Sequence, residues 1–226
     1  MKPRTLAILS LILLSCSINI AAQQERFVTP VDQGVNDSTF RKFRDSLLRT
    51  IKTKNTRRLL AIVASDIKLS FGGAEGLRDF RRIWKPSDPK SEVWKELTTI
   101  LANGGTFYGE GKEKTFCAPY LFTTFPEDLD AFDYHAIFAK NVNLREKPNL
   151  SSNVVAKLSY NVVKTSAENS VTSTSDPNHY IWVKIETLGG KSGYVAAQFV
   201  RSSIDYRACF AKVNGRWKMT VLIAGD

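Results

Sequence analysis

The stretch that decides the fold opens with Asn141-Val142-Asn143-Leu144-Arg145-Glu146-Lys147-Pro148. It passes through Ile181-Trp182-Val183-Lys184-Ile185 and closes on Gly190-Lys191-Ser192-Gly193-Tyr194-Val195. These phrases read as short apolar strands. Lys147-Pro148-Asn149, Ser175-Asp176-Pro177-Asn178 and Gly189-Gly190 are turn signals between them, and Asn214-Gly215 is another further on. From Ala136 onward the chain therefore reads as β-rich. In the last phrase Gly193 lets the backbone pass close to a neighbouring strand, and Tyr194 and Val195 then point to opposite faces.

These phrases, in this order, resemble the bacterial SH3 domain family. Residues 141–148 are similar to its opening strand, "VNVRSGPS", and residues 151–158 fit the turn and strand that follow. Residues 181–185 match its W-x-K-V strand, and residues 190–195 its G-x-x-G-[WY]-V hairpin. The chain departs from the pattern at Glu146 and Lys147, where the family usually has Ser and Gly, and in a long insertion over residues 166–178. That insertion leaves the groove geometry open. The resemblance implies an SH3-like β-barrel over residues 136–203, serving as a non-catalytic binding module.

Ahead of it the chain is helical and basic. Asp37 or Ser38 can cap a helix in which Phe40, Phe43, Leu47, Leu48 and Ile51 recur at helical spacing, with Arg41, Lys42, Arg44, Arg49 and Lys52 opposite. Asn55 or Thr56 can cap a second helix containing Leu59, Leu60, Ile62 and Val63. Residues 66–71 alternate like a strand, residues 75–84 and 91–102 read as amphipathic helices, and residues 115–122 as extended with Pro119 at an edge or bulge. Residues 23–36 predict little regular structure. The flanks, residues 37–135 plus 204–226, resemble a second family, the NTF2-like α+β cone, through their helices, "DIKLSFGGAEG" and the terminal hairpin with "GRWKM". The fold class expected is thus α+β, with the barrel inserted near the C-terminus of a discontinuous helical and strand domain.

Residues 1–22 carry Lys2 and Arg4, an apolar run from Leu6 to Leu14, then small residues to Ala22, the order of a signal peptide. The protein is expected to be exported, periplasmic or extracellular. Leu13-Leu14-Ser15-Cys16 resembles a lipobox, and lipidation of Cys16 would instead anchor it to a membrane. Without Lys2 and Arg4 the formal charge falls from +10 to +8. Residues 37–90 hold fourteen Lys and Arg against six Asp and Glu, whereas residues 91–226 hold fifteen against fourteen. The excess therefore sits on the helices, which can bind an anionic polymer or simply form a solvated basic face. Export disfavours a specific nucleic-acid partner.

Cys117 with His135 as base would be a nucleophile and base, but Thr115-Phe116-Cys117-Ala118-Pro119 reads as a strand and no orienting third group is evident. A structural cysteine is the stronger reading, and Cys117 and Cys209 are the candidate disulfide of an exported chain. Glu127, Asp128, Asp130 and Asp133 have the density of a calcium loop without its spacing, and read as a solvated loop. His135 and His179 lack zinc spacing, and Gly72, Gly73 and Gly76 lack a following G-K-[ST]. No metal and no cofactor are expected. Tyr160, Tyr180, Trp182 and Tyr194 are the candidate ligand-binding residues, because aromatics offer stacking area at low entropy cost. For Trp182 a core position is the stronger alternative.

The resemblance to the bacterial SH3 family, taken with the expected export, implies recognition of a cell-envelope ligand, either peptidoglycan peptide or a protein partner. Two other functions fit the same composition. One is a small-ligand or enzymatic pocket in the cone-like domain, which an interior filled by Phe and Trp would exclude. The other is a structural interaction protein with the barrel as spacer.

Overall fold

A computed structural model describes residues 23–109, 111, 114–177 and 179–225. The leader reading and Cys16 lie outside the described residues. The first elements are helices α1 (Ser38–Lys52) and α2 (Thr56–Ile62), strand β1 (Val63–Lys68), and helices α3 (Gly76–Trp84) and α4 (Glu92–Ala102). Asp37 caps α1: its carboxylate accepts from the Thr39 and Phe40 N–H groups at 2.9 and 3.0 Å and from Thr39 Oγ1 at 2.7 Å. Lys114 Nζ adds a fourth contact at 3.2 Å. The Thr39 hydroxyl first, then the Phe40 amide, hold the Asp37 carboxyl far below the usual carboxylate range. A depressed carboxylate stabilises the fold above its unfolded pKa of about 4 and ceases to as pH falls through the acid range below that. Asp37→Ala is expected to cost about 1–2 kcal/mol at neutral pH. Asp37→Asn should keep much of the cap but flatten the acid limb of stability against pH, which thermal unfolding across pH would show. An unaltered acid limb in Asp37→Asn would refute the assignment.

The helices cover a five-stranded sheet completed by β2 (Thr106–Tyr108), β3 (Thr115–Ala118), β11 (Arg207–Val213) and β12 (Arg216–Ile223), in the order β1-β12-β11-β3-β2. It joins strands that precede residue 119 to strands that follow residue 206. β1 runs parallel to β12 and the other pairs are antiparallel. Phe40, Leu47, Leu59, Ile67, Phe80, Leu97, Phe116, Phe210 and Met219 fill the space between helices and sheet. Rings dominate that interior: Phe40 packs on Phe116 at 4.2 Å and on Trp217 at 5.1 Å between centroids.

Three local expectations are corrected. Val63 belongs to β1, not to the second helix, and the strand ends at Lys68 rather than at residue 71. Pairing beside β12 extends this segment where an apolar run alone cannot distinguish helix from strand. Residues 115–122 are not one extended piece: β3 stops at Ala118, a cis bond precedes Pro119, and α5 (Tyr120–Thr124) follows. Pro119 has no N–H to donate onward. β3 itself is an interior strand between β11 and β2. Residues 23–36 form only a 3-10 turn, Gln33–Asn36, yet they are tied down. Val28 N donates to Tyr160 O and Val162 N to Arg26 O, both at 2.8 Å.

The second sheet has seven strands, in the order β10-β4-β7-β8-β9-β5-β6. They are β4 (Tyr134–Ile137), β5 (Val142–Arg145), β6 (Val154–Leu158), β7 (Val162–Thr172), β8 (Tyr180–Thr187), β9 (Ser192–Ala196) and β10 (Val200–Arg201). The sheet curls around Ile137, Val142, Leu144, Leu158, Val163, Ile185 and Val195. Among the described residues β10 and β6 do not pair, so the sheet is a curled half-barrel with two open edges. The 166–178 insertion does not hang out as a loop. Most of it lengthens the β7–β8 hairpin, with a register shift between Ser166 and Val171.

Candidate functional site

The alternation in β8 sends Val183 and Ile185 inward and Trp182, Lys184 and Glu186 to the outer face. On β9, Gly193 and Val195 are buried and Tyr194 lies outward. Lys184 is paired directly with Tyr194, and Trp182 with Ala196. Trp182 and Tyr194 are therefore diagonal neighbours on one face. Lys184 Nζ stands 4.8 Å from the centre of the Tyr194 ring, a cation–π contact. Beside this pair lies a hollow of about 360 Å³ lined by Lys164, Ser166, Asn169, Lys184, Glu186 and Ser192. The bulge in β7 shapes its wall: Ser170 Oγ donates to Ser166 O at 2.7 Å and accepts from Lys184 N at 3.0 Å. Gly193 makes the face possible. A Cβ there would come within 2.5 Å of Arg145 O and 2.9 Å of Leu144 Cδ1, so β5 and β9 approach this closely only with glycine.

The four aromatic candidates do not form one cluster. Trp182 is half-buried on the outer face and belongs to none of the apolar clusters, contrary to the core reading. Tyr194 shares that face. Tyr180, at the start of β8, lines hollows with Val200 and Asp205 instead. Tyr160 sits at the β6–β7 turn with φ 61°, its carbonyl accepting from Val28 N. It stands near Tyr120, whose hydroxyl pKa is raised first by burial and then by Tyr160. Position, not residue type, separates Tyr160 from the outer face.

The other candidates are placed as follows. Cys117 and Cys209 are joined by a disulfide between facing residues of β3 and β11, with Cα atoms 4.2 Å apart. Cys117 is buried and bonded, so it is no nucleophile for His135. His135 is largely buried, and burial lowers its pKa against the opposing pull of Asp205 and Asp133. In the acidic loop Asp128 is held by Arg26 of the lead-in, at 2.6 and 2.8 Å, rather than by the basic helices, and Asp130 accepts from Phe132 N. No group of three His, Cys, Asp or Glu able to hold a metal occurs among the described residues. On α1, Arg44 pairs with Asp32 at 2.7 Å, while Arg41, Lys42, Arg49 and Lys52 make no ion pair among the described residues.

The curled sheet thus has an apolar interior and an aromatic, lysine-bearing outer face. Residues 140–201 match the family model of the bacterial SH3 domain. The resemblance carried by residues 141–195 is thus a family match over that segment. No curated protein and no solved structure matches the chain.

Proposed function

We propose that this chain is an exported, non-catalytic binding protein of a bacterial cell envelope, whose SH3 domain recognises peptidoglycan peptide or a protein partner. The observation that carries the reading is the Trp182, Lys184 and Tyr194 face with its polar hollow. A ring gives a peptide apolar contact area, and Lys184 and Lys164 can take its carboxylates. The leader composition supports export, with residence in the periplasm or outside the cell, or lipid anchoring through Cys16. The helices and five-stranded sheet support an NTF2-like reading of the flanking unit. Its interior is filled by Phe40, Phe43, Phe107, Phe116, Phe210 and Trp217, which speaks against a ligand pocket there. Arg41, Lys42, Arg49 and Lys52, without carboxylate partners among the described residues, support an added electrostatic attraction to anionic envelope polymer.

The test is retention of the mature chain on purified peptidoglycan. Tyr194→Ala and Lys184→Ala are each expected to weaken retention by about tenfold, the loss typical of a contact worth more than about 1 kcal/mol. Wild-type retention in both variants, with unchanged thermal unfolding, would reject this face as the site.

A further inference from the structure

A cleft of about 560 Å³ runs between α4 and the SH3 domain, walled by Glu96, Phe138, Tyr180, Ile181, Arg201 and Asp205. A second hollow of about 330 Å³ adjoins it and shares Tyr180, Val200 and Asp205. The volume is in the range that holds a small ligand. Its polar groups are poorly satisfied by the protein. The Arg201 side chain is only 12% exposed, and its Nε is buried without a hydrogen-bond partner among the described residues. Its Nη2 donates to Tyr206 O at 2.6 Å but stands 3.9 Å from Glu96 Oε1, too far for a hydrogen bond. The guanidinium faces the Phe138 ring at 5.8 Å. Among the described residues Glu96, 22% exposed, makes no hydrogen bond, and Asp205 uses one oxygen, accepting from Ser202 N at 3.2 Å.

A buried guanidinium with donor capacity left over, set near the Glu96 carboxylate in a cleft that Asp205 also lines, is costly unless something completes it. A simple anion would meet Glu96 and Asp205, and a simple cation would meet Arg201. Only a ligand bearing both charges is complementary to the set. Lys95 and His179 also line the cleft; the Lys95 ammonium is exposed and lies 3.8 Å from Glu92 at its rim. Phe138, Tyr180 and Ile181 supply the apolar wall.

We infer that this cleft is a second binding site, distinct from the β8–β9 face, for a short peptide with both ends free, its carboxylate taken by Arg201 and its ammonium by the carboxylates that line the same cleft, Glu96 and Asp205. Neither unit holds the site alone, because α4 brings Glu96 and the SH3 strand β10 brings Arg201.

The probe is the dipeptide Ala-Ala, titrated calorimetrically into the full mature chain beside its N-acetylated and C-amidated forms. Ala-Ala is expected to bind, and blocking either end to weaken binding about tenfold or more, since each removes a charge-assisted contact. In Asp205→Asn, N-acetylation should cost much less than in the wild type. In Arg201→Gln, amidation should cost much less. Asp205 is exposed, so its variant tests the site even if Arg201→Gln fails to fold. Failure of Ala-Ala to bind, equal binding of the blocked forms, or an undiminished acetylation penalty in Asp205→Asn would overturn the inference.

Discussion

Replacing Cys117 and Cys209 together by alanine is expected to lower stability by about 4–5 kcal/mol, according to the chain-entropy model. The two residues are 92 apart in sequence, and the loop between them contains the whole SH3 segment. Closing so long a loop removes many conformations from the unfolded chain, so the bridge acts chiefly by raising the free energy of that state. In the folded state β3 and β11 are already paired from Thr115 with Ala211 to Ala118 with Ala208. The double variant should therefore keep its fold and its far-ultraviolet spectrum under mild conditions. Alanine is preferred to serine because both positions are buried, where an unpaired hydroxyl would add a cost of its own. Urea unfolding of the oxidised protein, the reduced protein and the double variant reads the effect. Midpoints for all three that agree within about 1 kcal/mol would show that the bridge contributes little.

Phe40→Ala is expected to cost about 3–5 kcal/mol, the range for a large aromatic removed from a core that collapses only in part. Phe40 is fully buried and central. Its ring meets Phe116 at 4.2 Å, Trp217 at 5.1 Å, Phe107 at 5.7 Å, Phe43 at 5.8 Å and Phe210 at 5.9 Å. Those neighbours come from α1 and from strands on both sides of the SH3 segment, so the cavity would open where the chain's two ends meet. Trp217 fluorescence and backbone circular dichroism should then shift to the same lower midpoint. A loss of less than about 1 kcal/mol, or a Trp217 signal unaffected by the change, would contradict this account.

Much of the local structure was legible because its causes are local. Asp37 and Asn55 have side chains that satisfy free N–H groups at a helix start, and they cap α1 and α2. The spacing of Phe40, Leu47 and Ile51 places them on one buried stripe. The phrases at residues 181–185 and 190–195, with Gly193 where two strands nearly touch, mark the SH3 strands. Val63 and residues 119–122 were not legible. A short apolar run suits a helix or a strand equally until a neighbour such as β12 offers its hydrogen bonds.

The candidate sites divide along the same line. Alternation within a strand determined from sequence that Tyr194 and Val195 face opposite sides, because that period is built into the backbone, whereas the core position expected for Trp182 gave way to the outer face. Only the tertiary structure decided that Tyr160 and Tyr180 stand apart from that face. The first lies in a turn against the lead-in, and the second lies beyond a register shift in the β7–β8 pairing. Likewise the sequence determined that Cys117 and Cys209 lie in strand-like stretches, and that Glu96, Arg201 and Asp205 are ionisable. That Cys117 faces Cys209, and that Glu96 meets Arg201 in a cleft, was decided by the return of β11 and β12 to a sheet begun before the SH3 segment. Pairing over such separations depends on the register of whole strands, which residue type and local spacing do not encode.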